Sequence, residues 1–141
     1  MAPPPAPAAP SRSVKRDEKV ILLVDDDREL NDGLRFVLER QGHRVIQAYD
    51  GVEAKELVQR HRPDLMVLDM MMPKTGGYPV LEYLHKQSEA LPVIMITAKE
   101  GSQHKIYAEY LGVVDYLNKP FPIERFLQSV EKSLVHKPAQ V

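Results

Sequence analysis

The sequence predicts a doubly wound α/β fold, in which a parallel β-sheet is covered by helices on both faces. Short runs rich in valine, isoleucine and leucine alternate five times with longer segments of helical periodicity. The runs are apolar at nearly every position, which is typical of parallel strands with both faces buried. The predicted strands are Val20–Val24, Arg44–Ala48, Leu65–Asp69, Val93–Thr97 and Asp115–Leu117.

The first three helices follow the first three strands. Apolar residues at the i, i+4, i+7 and i+8 positions from Leu30 predict the first helix. Asp50 and Glu53 resemble a capping box at the start of the second. Pro79 stands in the first turn of the third, where its missing N–H is tolerated. The apolar positions of these helices are Leu30, Leu34, Val37 and Leu38, then Ala54, Leu57 and Val58, then Val80, Leu81 and Leu84.

The last two helices differ in the strength of their patterns. Residues 102–111 predict a fourth helix with a poor apolar stripe. The fifth helix carries a regular stripe, consisting of Ile123, Phe126, Leu127, Val130 and Leu134. We expect this stripe to face the sheet.

The composition limits the classes of function. The 141 residues fit one domain, and a hydrophobic content of 43% allows a real core. The absence of cysteine excludes disulfides, thiolate catalysis and cysteine-based zinc sites. A net charge of −1 without a basic stripe argues against direct nucleic acid binding and against an anionic membrane as partner. The longest apolar stretch, residues 91–98, is too short to span a membrane, and the N-terminus lacks a secretion core. These features favour a cytoplasmic protein.

The two ends of the chain differ from the rest. Residues 1–10 contain five prolines and four alanines, and a slightly basic segment follows. Proline removes backbone donors and nothing apolar recurs, so we expect a disordered or polyproline-like tail over residues 1–18. The folded domain is expected at residues 19–136, followed by a short tail at residues 137–141.

Polar side chains stand where four of the predicted strands end. In a doubly wound sheet, ligands bind at the carboxyl ends of the strands, so these side chains are expected to converge. Clustered carboxylates without cysteine or a histidine pair suit Mg²⁺ or Mn²⁺, and a lysine and a hydroxyl can hold phosphate oxygens. The set therefore indicates a phosphoryl site, in which an aspartate can be the acceptor. Its members are Asp25, Asp26, Asp69, Thr97 and Lys119, while Asp27 is expected to cap the first helix.

Four fragments carry a family resemblance. In their order and spacing, they resemble the receiver domains of two-component response regulators over residues 19–136. This resemblance implies a flavodoxin-like sheet with the strand order 2-1-3-4-5 and five helices. The fragments are "LLVDDD", "DLMVLDMMMPKTGG", "VIMITAKE" and "GVVDYLNKPF".

The resemblance implies a phosphoacceptor and a metal site. Asp69 would accept a phosphoryl group from the phosphohistidine of a sensor histidine kinase or a histidine phosphotransfer protein. Asp25 and Asp26, with Asp69 and the backbone carbonyl of Met71, would hold Mg²⁺ or Mn²⁺. The protein would then be a signalling domain that takes part in its own phosphorylation and dephosphorylation, not an enzyme acting on other substrates.

The resemblance also implies a switch. Lys119 would pair with the phosphate, and the hydroxyl of Thr97 would donate to another phosphate oxygen. Inward movement of that hydroxyl would accompany rotation of Tyr116, and the Lys119–Pro120 bond would be cis. A downstream protein of unknown identity would bind the surface of the fourth helix, fifth strand and fifth helix, which could also form a homodimer.

Two residues depart from common choices in the family. Met71 lies two residues after Asp69, and Lys99 lies two residues after Thr97. Both are expected to flank the path of the water that attacks the aspartyl phosphate. We hypothesise that the bulky apolar side chain of Met71 slows this hydrolysis.

Two other functions compete with the phosphorylation switch. A phosphohydrolase resembling the haloacid-dehalogenase superfamily would use Asp25 as nucleophile and Asp27 as acid/base, but Arg28 and the following residues depart from that pattern. An adaptor with the receiver fold would signal by binding alone. The intact set of acids, threonine and lysine argues against this second alternative.

Overall fold

Five parallel strands form one sheet in the order β2-β1-β3-β4-β5, as the resemblance implied. The structure, a computed structural model, describes residues 18–72, 76–87, 91–98 and 102–135. The strands are β1 (Val20–Val24), β2 (Arg44–Ala48), β3 (Leu65–Asp69), β4 (Val93–Thr97) and β5 (Val113–Asn118). The helices are α1 (Arg28–Arg40), α2 (Gly51–His61), α3 (Tyr78–Lys86), α4 (Ser102–Tyr110) and α5 (Ile123–Val135).

The strands divide the core into two layers, one on each face of the sheet. Alternate residues of a strand point to opposite faces, so Leu22 packs with α2, α3 and α4 while Ile21 packs with α1 and α5. All five residues of β3 and of β4 are buried. This explains why the central strands read as continuous apolar runs, and it confirms the doubly wound class.

The fifth strand departs from the predicted bounds. β5 begins two residues earlier than predicted and ends one residue later. Val93 pairs with Val113, but Ile94 pairs with Asp115, so Val114 is an extra residue in a bulge. Val114 is 45% exposed. The bulge interrupts the period of the strand, and this is why its first residues did not read as a strand.

The fifth helix packs against the core through four of its five predicted apolar residues, namely Phe126, Leu127, Val130 and Leu134. Phe126 and Val130 are buried as expected, but Ile123 is 41% exposed, and Ser129 and Ser133 are buried in its place. The hydroxyl of Ser129 donates to Asp115 of β5 at 2.6 Å, which satisfies this polar group inside the protein.

The tails expected at the two ends of the chain stay predictions. Residues 1–17 and 136–141 lie outside the described residues, so the boundaries of the two expected tails are untested. Among the described helices, none combines the length and apolar character needed to cross a lipid bilayer.

Candidate functional site

The backbone ladder of the sheet continues into the loops that carry the polar residues. The N–H of Asp25 donates to the carbonyl of Ala48 at 3.1 Å, and the N–H of Met70 donates to Ile96 at 3.0 Å. On the far side, the N–H of Lys119 donates to the carbonyl of Thr97 at 2.8 Å. These bonds fix three of the strand ends relative to their neighbours, so the site rests on the sheet itself.

Three carboxylates meet at this edge. Asp25, Asp26 and Asp69 each offer an oxygen atom, and these atoms all lie within 4.8 Å of one another. Asp25 and Asp69 are each 2% exposed, whereas Asp26 is exposed. Backbone donors hold the two buried carboxylates, because Asp25 Oδ1 accepts from the N–H of Asp27 at 2.9 Å and Asp69 Oδ1 from the N–H of Met71 at 3.0 Å.

Lys119 lies between the two buried carboxylates. Its Nζ is 2.9 Å from Oδ2 of Asp25 and 3.4 Å from Oδ2 of Asp69. Burial alone would lower the pKa of Lys119, but the two carboxylates outweigh burial and raise it above the ordinary value. Lys119 is therefore an ammonium ion at neutral pH.

The carboxylate of Asp25 is in an environment that disfavours its negative charge. Burial raises the pKa of the Asp25 carboxyl, and the charge of Asp69 raises it further. The N–H of Asp27 and the ammonium of Lys119 act in the opposite direction without cancelling the effect. Among the described residues, one ammonium ion thus accompanies three carboxylates, so this part of the site has a surplus of negative charge.

The residues fit a divalent cation of the hard class. Oδ2 of Asp25 is buried and accepts no hydrogen bond of normal geometry within the described ranges, although Lys119 is close enough to form an ion pair. A buried carboxylate oxygen with spare acceptor capacity, next to two further carboxylates, is the donor set that Mg²⁺ prefers.

Two other predicted site residues, Thr97 and Tyr116, belong to β4 and β5, the strands beyond β3 in the sheet. Thr97 is 1% exposed at the end of β4, directly after Ile96, which pairs with Asp69. Tyr116 is half-buried in β5 and packs against the core layer of α2, α3 and α4. The Lys119–Pro120 peptide bond is cis, as the resemblance implied.

Met71 and Lys99 are the two residues predicted to flank the path of the water that hydrolyses the aspartyl phosphate. The side chain of Met71 is 54% exposed, whereas Met70 and Met72 are buried. Met71 thus has an exposed side chain, and its backbone N–H donates to the carboxylate of Asp69. Lys99 lies outside the described residues.

Helix α1 begins as predicted. Oδ1 of Asp27 accepts a hydrogen bond from the N–H of Leu30 at 3.1 Å, so Asp27 is the N-cap. A carboxylate at this position also interacts favourably with the positive end of the helix dipole. This use of Asp27 separates it from Asp25 and Asp26, whose oxygens face Asp69.

Asn31 is a supporting residue that the sequence analysis missed. Its side chain is fully buried in α1, and its Nδ2 donates to the carbonyls of Asp25 at 3.1 Å and Ala48 at 3.2 Å. Its Oδ1 accepts from Nε2 of Gln47 at 2.9 Å. Asn31 therefore ties the end of β1 to the end of β2. A polar residue three positions before Leu34, on the apolar stripe of α1, was the signal available in the sequence.

Gly77 is the second missed residue. It is the N-cap residue of α3, and its N–H donates to the carbonyl of Met70 at 3.2 Å. A Cβ at this position would lie 2.5 Å from Sδ of Met70 and 2.9 Å from the carbonyl oxygen of Asp69. Only glycine allows α3 to approach the loop after β3 so closely.

Comparisons with known proteins agree with this geometry. The family model for the response regulator receiver domain matches residues 21–131. The response regulator MprA of Mycobacterium leprae is 41% identical over 114 residues, which cover 81% of this chain and 50% of that protein. MprA of Mycobacterium avium is 40% identical over 107 residues, 76% of this chain and 47% of that protein. The chain thus spans about half the length of these relatives.

Solved structures give the same result. The non-phosphorylated HemR receiver domain from Leptospira biflexa has a TM-score of 0.81 and 32% identity, covering 87% of this chain and 99% of that one. The BeF3-activated N-terminal receiver domain of RstA from Klebsiella pneumoniae has a TM-score of 0.76 and 26% identity, covering 83% and 99%. With the aspartate cluster at the strand ends, these matches establish that the chain belongs to the receiver domain family of two-component response regulators.

Proposed function

We propose that Asp69 accepts a phosphoryl group from the phosphohistidine of a sensor histidine kinase or a histidine phosphotransfer protein. The observation that carries this proposal is the contact of one half-buried lysine with two buried carboxylates at the ends of β1 and β3. A carboxylate oxygen of Asp69 forms the new P–O bond while the P–N bond of phosphohistidine breaks. The histidine nitrogen leaves with the electron pair, and an acyl phosphate results.

Each neighbour of Asp69 has a part in this transfer. The N–H of Met71 holds one oxygen of Asp69 and fixes the direction of the carboxylate. The ammonium of Lys119 is within reach of the reacting side chain and pairs with the phosphoryl oxygens. The hydroxyl of Thr97 donates to another phosphoryl oxygen, and Tyr116 changes position with it. Positioning and charge neutralisation of this kind supply most of the catalysis in phosphoryl transfer.

The cation that we propose is Mg²⁺, with Mn²⁺ as the substitute. Asp25, Asp26, Asp69 and the carbonyl of Met71 would hold it. When bound, it neutralises the charge of the carboxylates and of the transferred phosphoryl group. The surplus negative charge of the site supports this assignment.

The proposed partners follow from the signalling role. Besides the phosphohistidine donor, we propose a downstream protein that binds the surface of α4, β5 and α5, or a second copy of the chain at the same surface. Phosphorylation would bias an existing equilibrium between two conformations of that surface. We place the receiver unit at residues 19–136, between tails at residues 1–18 and 137–141, and in the cytoplasm.

The phosphohydrolase alternative loses support, because the family model that matches residues 21–131 is that of the receiver domain. Asp27, the acid/base that this alternative requires, is occupied as the N-cap of α1.

Intact-protein mass spectrometry after incubation with acetyl phosphate and MgCl₂ tests the proposal. We expect one added phosphoryl group, lost in Asp69→Asn and lost in EDTA. Asp32→Asn, which removes an exposed carboxylate of α1, is the control and should leave the modification intact. Persistence of the label in Asp69→Asn would contradict the assignment of the acceptor. A folded, magnesium-replete protein that no donor phosphorylates would instead be an adaptor.

A further inference from the structure

A groove between α3 and α4 lies outside the phosphoryl site. It has a volume of about 480 Å³, and we call it the α3–α4 groove. Four of the six tyrosines in the sequence line it or contact its lining. The residues that line the groove include Lys55, Glu82, His85, Lys86, Tyr107 and Tyr110.

Two tyrosine rings of α4 form an ordered pair in this groove. The planes of Tyr107 and Tyr110 differ by 13°, and their centroids are 6.4 Å apart. The hydroxyl of Tyr107 donates to Glu82 of α3, and the ring of His85 lies 5.7 Å from that of Tyr110. The rings are therefore held in place by contacts across the groove.

The ring pair is exposed despite this order. Tyr110 is 70% exposed and Tyr107 is 40% exposed, and the neighbouring Ile106 is 65% exposed. A contiguous apolar patch of this kind on a folded domain usually marks a surface that binds something. Aromatic-lined grooves are the surfaces on which proline-rich segments dock in the polyproline II conformation.

The chain contains a segment of the matching chemistry. Residues 1–10 hold five prolines and four alanines, a composition that favours the polyproline II conformation. Proline lacks an N–H group, so such a segment has more backbone acceptors than donors. The rim of the groove supplies donors from Lys55, His85 and Lys86, while the carboxylate of Glu82 is already engaged by Tyr107.

The segment is also within reach. Val20 begins β1 at the amino edge of the sheet, and α3 and α4 end at the same edge because they run opposite to the strands. Two strand spacings of about 5 Å and a layer spacing of about 10 Å separate β1 from these helices, roughly 15 Å in all. Residues 11–17 span about 22 Å when extended as polyproline II.

We propose that residues 1–10 dock in the α3–α4 groove of the same chain as a polyproline II segment. The rings of Tyr107 and Tyr110 receive the proline rings, and the basic side chains at the rim bind the peptide carbonyls. A short linker gives the segment an effective concentration in the millimolar range, so weak docking is sufficient. The tail then competes with any partner that binds α3 and α4.

The test uses the full chain and its backbone amide NMR spectrum. Replacing the five prolines of residues 1–10 by serine should shift the amide signals of His85, Tyr107 and Tyr110. In a Tyr110→Ala background, the same proline substitutions should leave the signals of α3 unshifted. Phe36→Ala, which removes another exposed aromatic side chain on α1, is the control and should preserve the difference.

Two results would overturn the proposal. Identical α3 and α4 signals with and without the prolines would mean that the tail does not occupy the groove. The second result is a dependence of the α3 and α4 signals on protein concentration, both in the wild type and in the proline-to-serine variant, together with a dimer in analytical sedimentation. It would mean that a second copy of the chain occupies the groove. Neither result bears on phosphorylation of Asp69, so this proposal and the proposed function fail independently.

Discussion

Replacement of Asp25 by asparagine should stabilise the metal-free protein while abolishing its phosphorylation. Asp25 is 2% exposed, and its pKa is raised chiefly by burial and further by Asp69. A carboxyl with a raised folded-state pKa destabilises the fold once it is ionised. Asparagine keeps an oxygen for the N–H of Asp27 and removes the charge.

The size of the effect follows from the distances. At an effective dielectric constant near 20, attraction between Asp25 and Lys119 at 2.9 Å is about 6 kcal/mol. Repulsion between Asp25 and Asp69, with oxygens within 4.8 Å, is at least about 3.5 kcal/mol, and exposed Asp26 adds about 1–2 kcal/mol. These terms nearly cancel, so the cost of burying the Asp25 charge decides the sign. We expect the free energy of unfolding to rise by on the order of 1 kcal/mol.

Urea and thermal denaturation in EDTA at pH 7 measure this change. A gain of about 1 kcal/mol corresponds to a melting temperature about 4 °C higher for a domain of this size. Because the folded-state pKa of Asp25 lies above its ordinary 3.8, the gain should grow as pH rises through that value and vanish below about pH 4. Added MgCl₂ should stabilise the wild type and the Asp32→Asn control but not the variant. An Asp25→Asn protein that is less stable than the wild type in EDTA would refute the reasoning.

Three other changes test the surroundings of the site. Asn31→Leu removes the side-chain donor to the carbonyls of Asp25 and Ala48, of which Ala48 keeps the N–H of Asp25, and should lower the free energy of unfolding by about 1–3 kcal/mol in urea denaturation, with weaker stabilisation by MgCl₂. Gly77→Ala should lower the free energy of unfolding by about 1–3 kcal/mol and slow phosphorylation by acetyl phosphate. Its control is Gly33→Ala, whose Cβ meets nothing within 4 Å and which should raise the free energy of unfolding by up to about 1 kcal/mol. Met71→Asn should speed loss of the phosphoryl group in a mass-spectrometric time course; an unchanged rate would contradict the idea that Met71 impedes water.

The convergence of the site could be predicted because it depends on topology alone. Once the runs were assigned to parallel strands, the residues that follow β1, β3 and β5 had to lie at one edge of the sheet. The structure brings Asp25, Asp69 and Lys119 together there, within ion-pair distance. Their side-chain chemistry was readable in the sequence, since the acids and the lysine interact through their own charged groups.

Asn31 and Gly77 could not be found in the same way. The partners of Asn31 are the carbonyls of Asp25 and Ala48, and the close neighbours of Gly77 include the backbone of Asp69. Every residue has a carbonyl, so the letters of the sequence do not reveal which carbonyl needs a donor or where a helix approaches a loop. These contacts are known only after the strands and helices have been packed.

The exposed position of Ile123 has a related cause. The face of α5 that meets the sheet is fixed partly by Asp115, which accepts from Ser129 and forms a two-bond ion pair with Arg125. Although burial acts to raise the pKa of Asp115, the hydrogen bonds from Arg125 and Ser129 outweigh it and lower that pKa. An apolar stripe read from periodicity takes no account of such a polar anchor, so Ile123 was placed on the buried face together with the four residues that do pack against the core.

The charge arrangement at the strand ends also gives a physical reason for the cation that we propose besides Lys119. Lys119 lies closer to Asp25 than to Asp69, at 2.9 Å against 3.4 Å. A phosphoryl group on Asp69 brings further negative charge to the same space and attracts the ammonium of Lys119. Asp25 would then be left buried without a counter-ion, which costs several kcal/mol. Under the proposed function, Lys119 would turn to the phosphoryl group once another cation took its place beside Asp25, so the aspartate that is expected to destabilise the metal-free fold would also make phosphorylation depend on the metal.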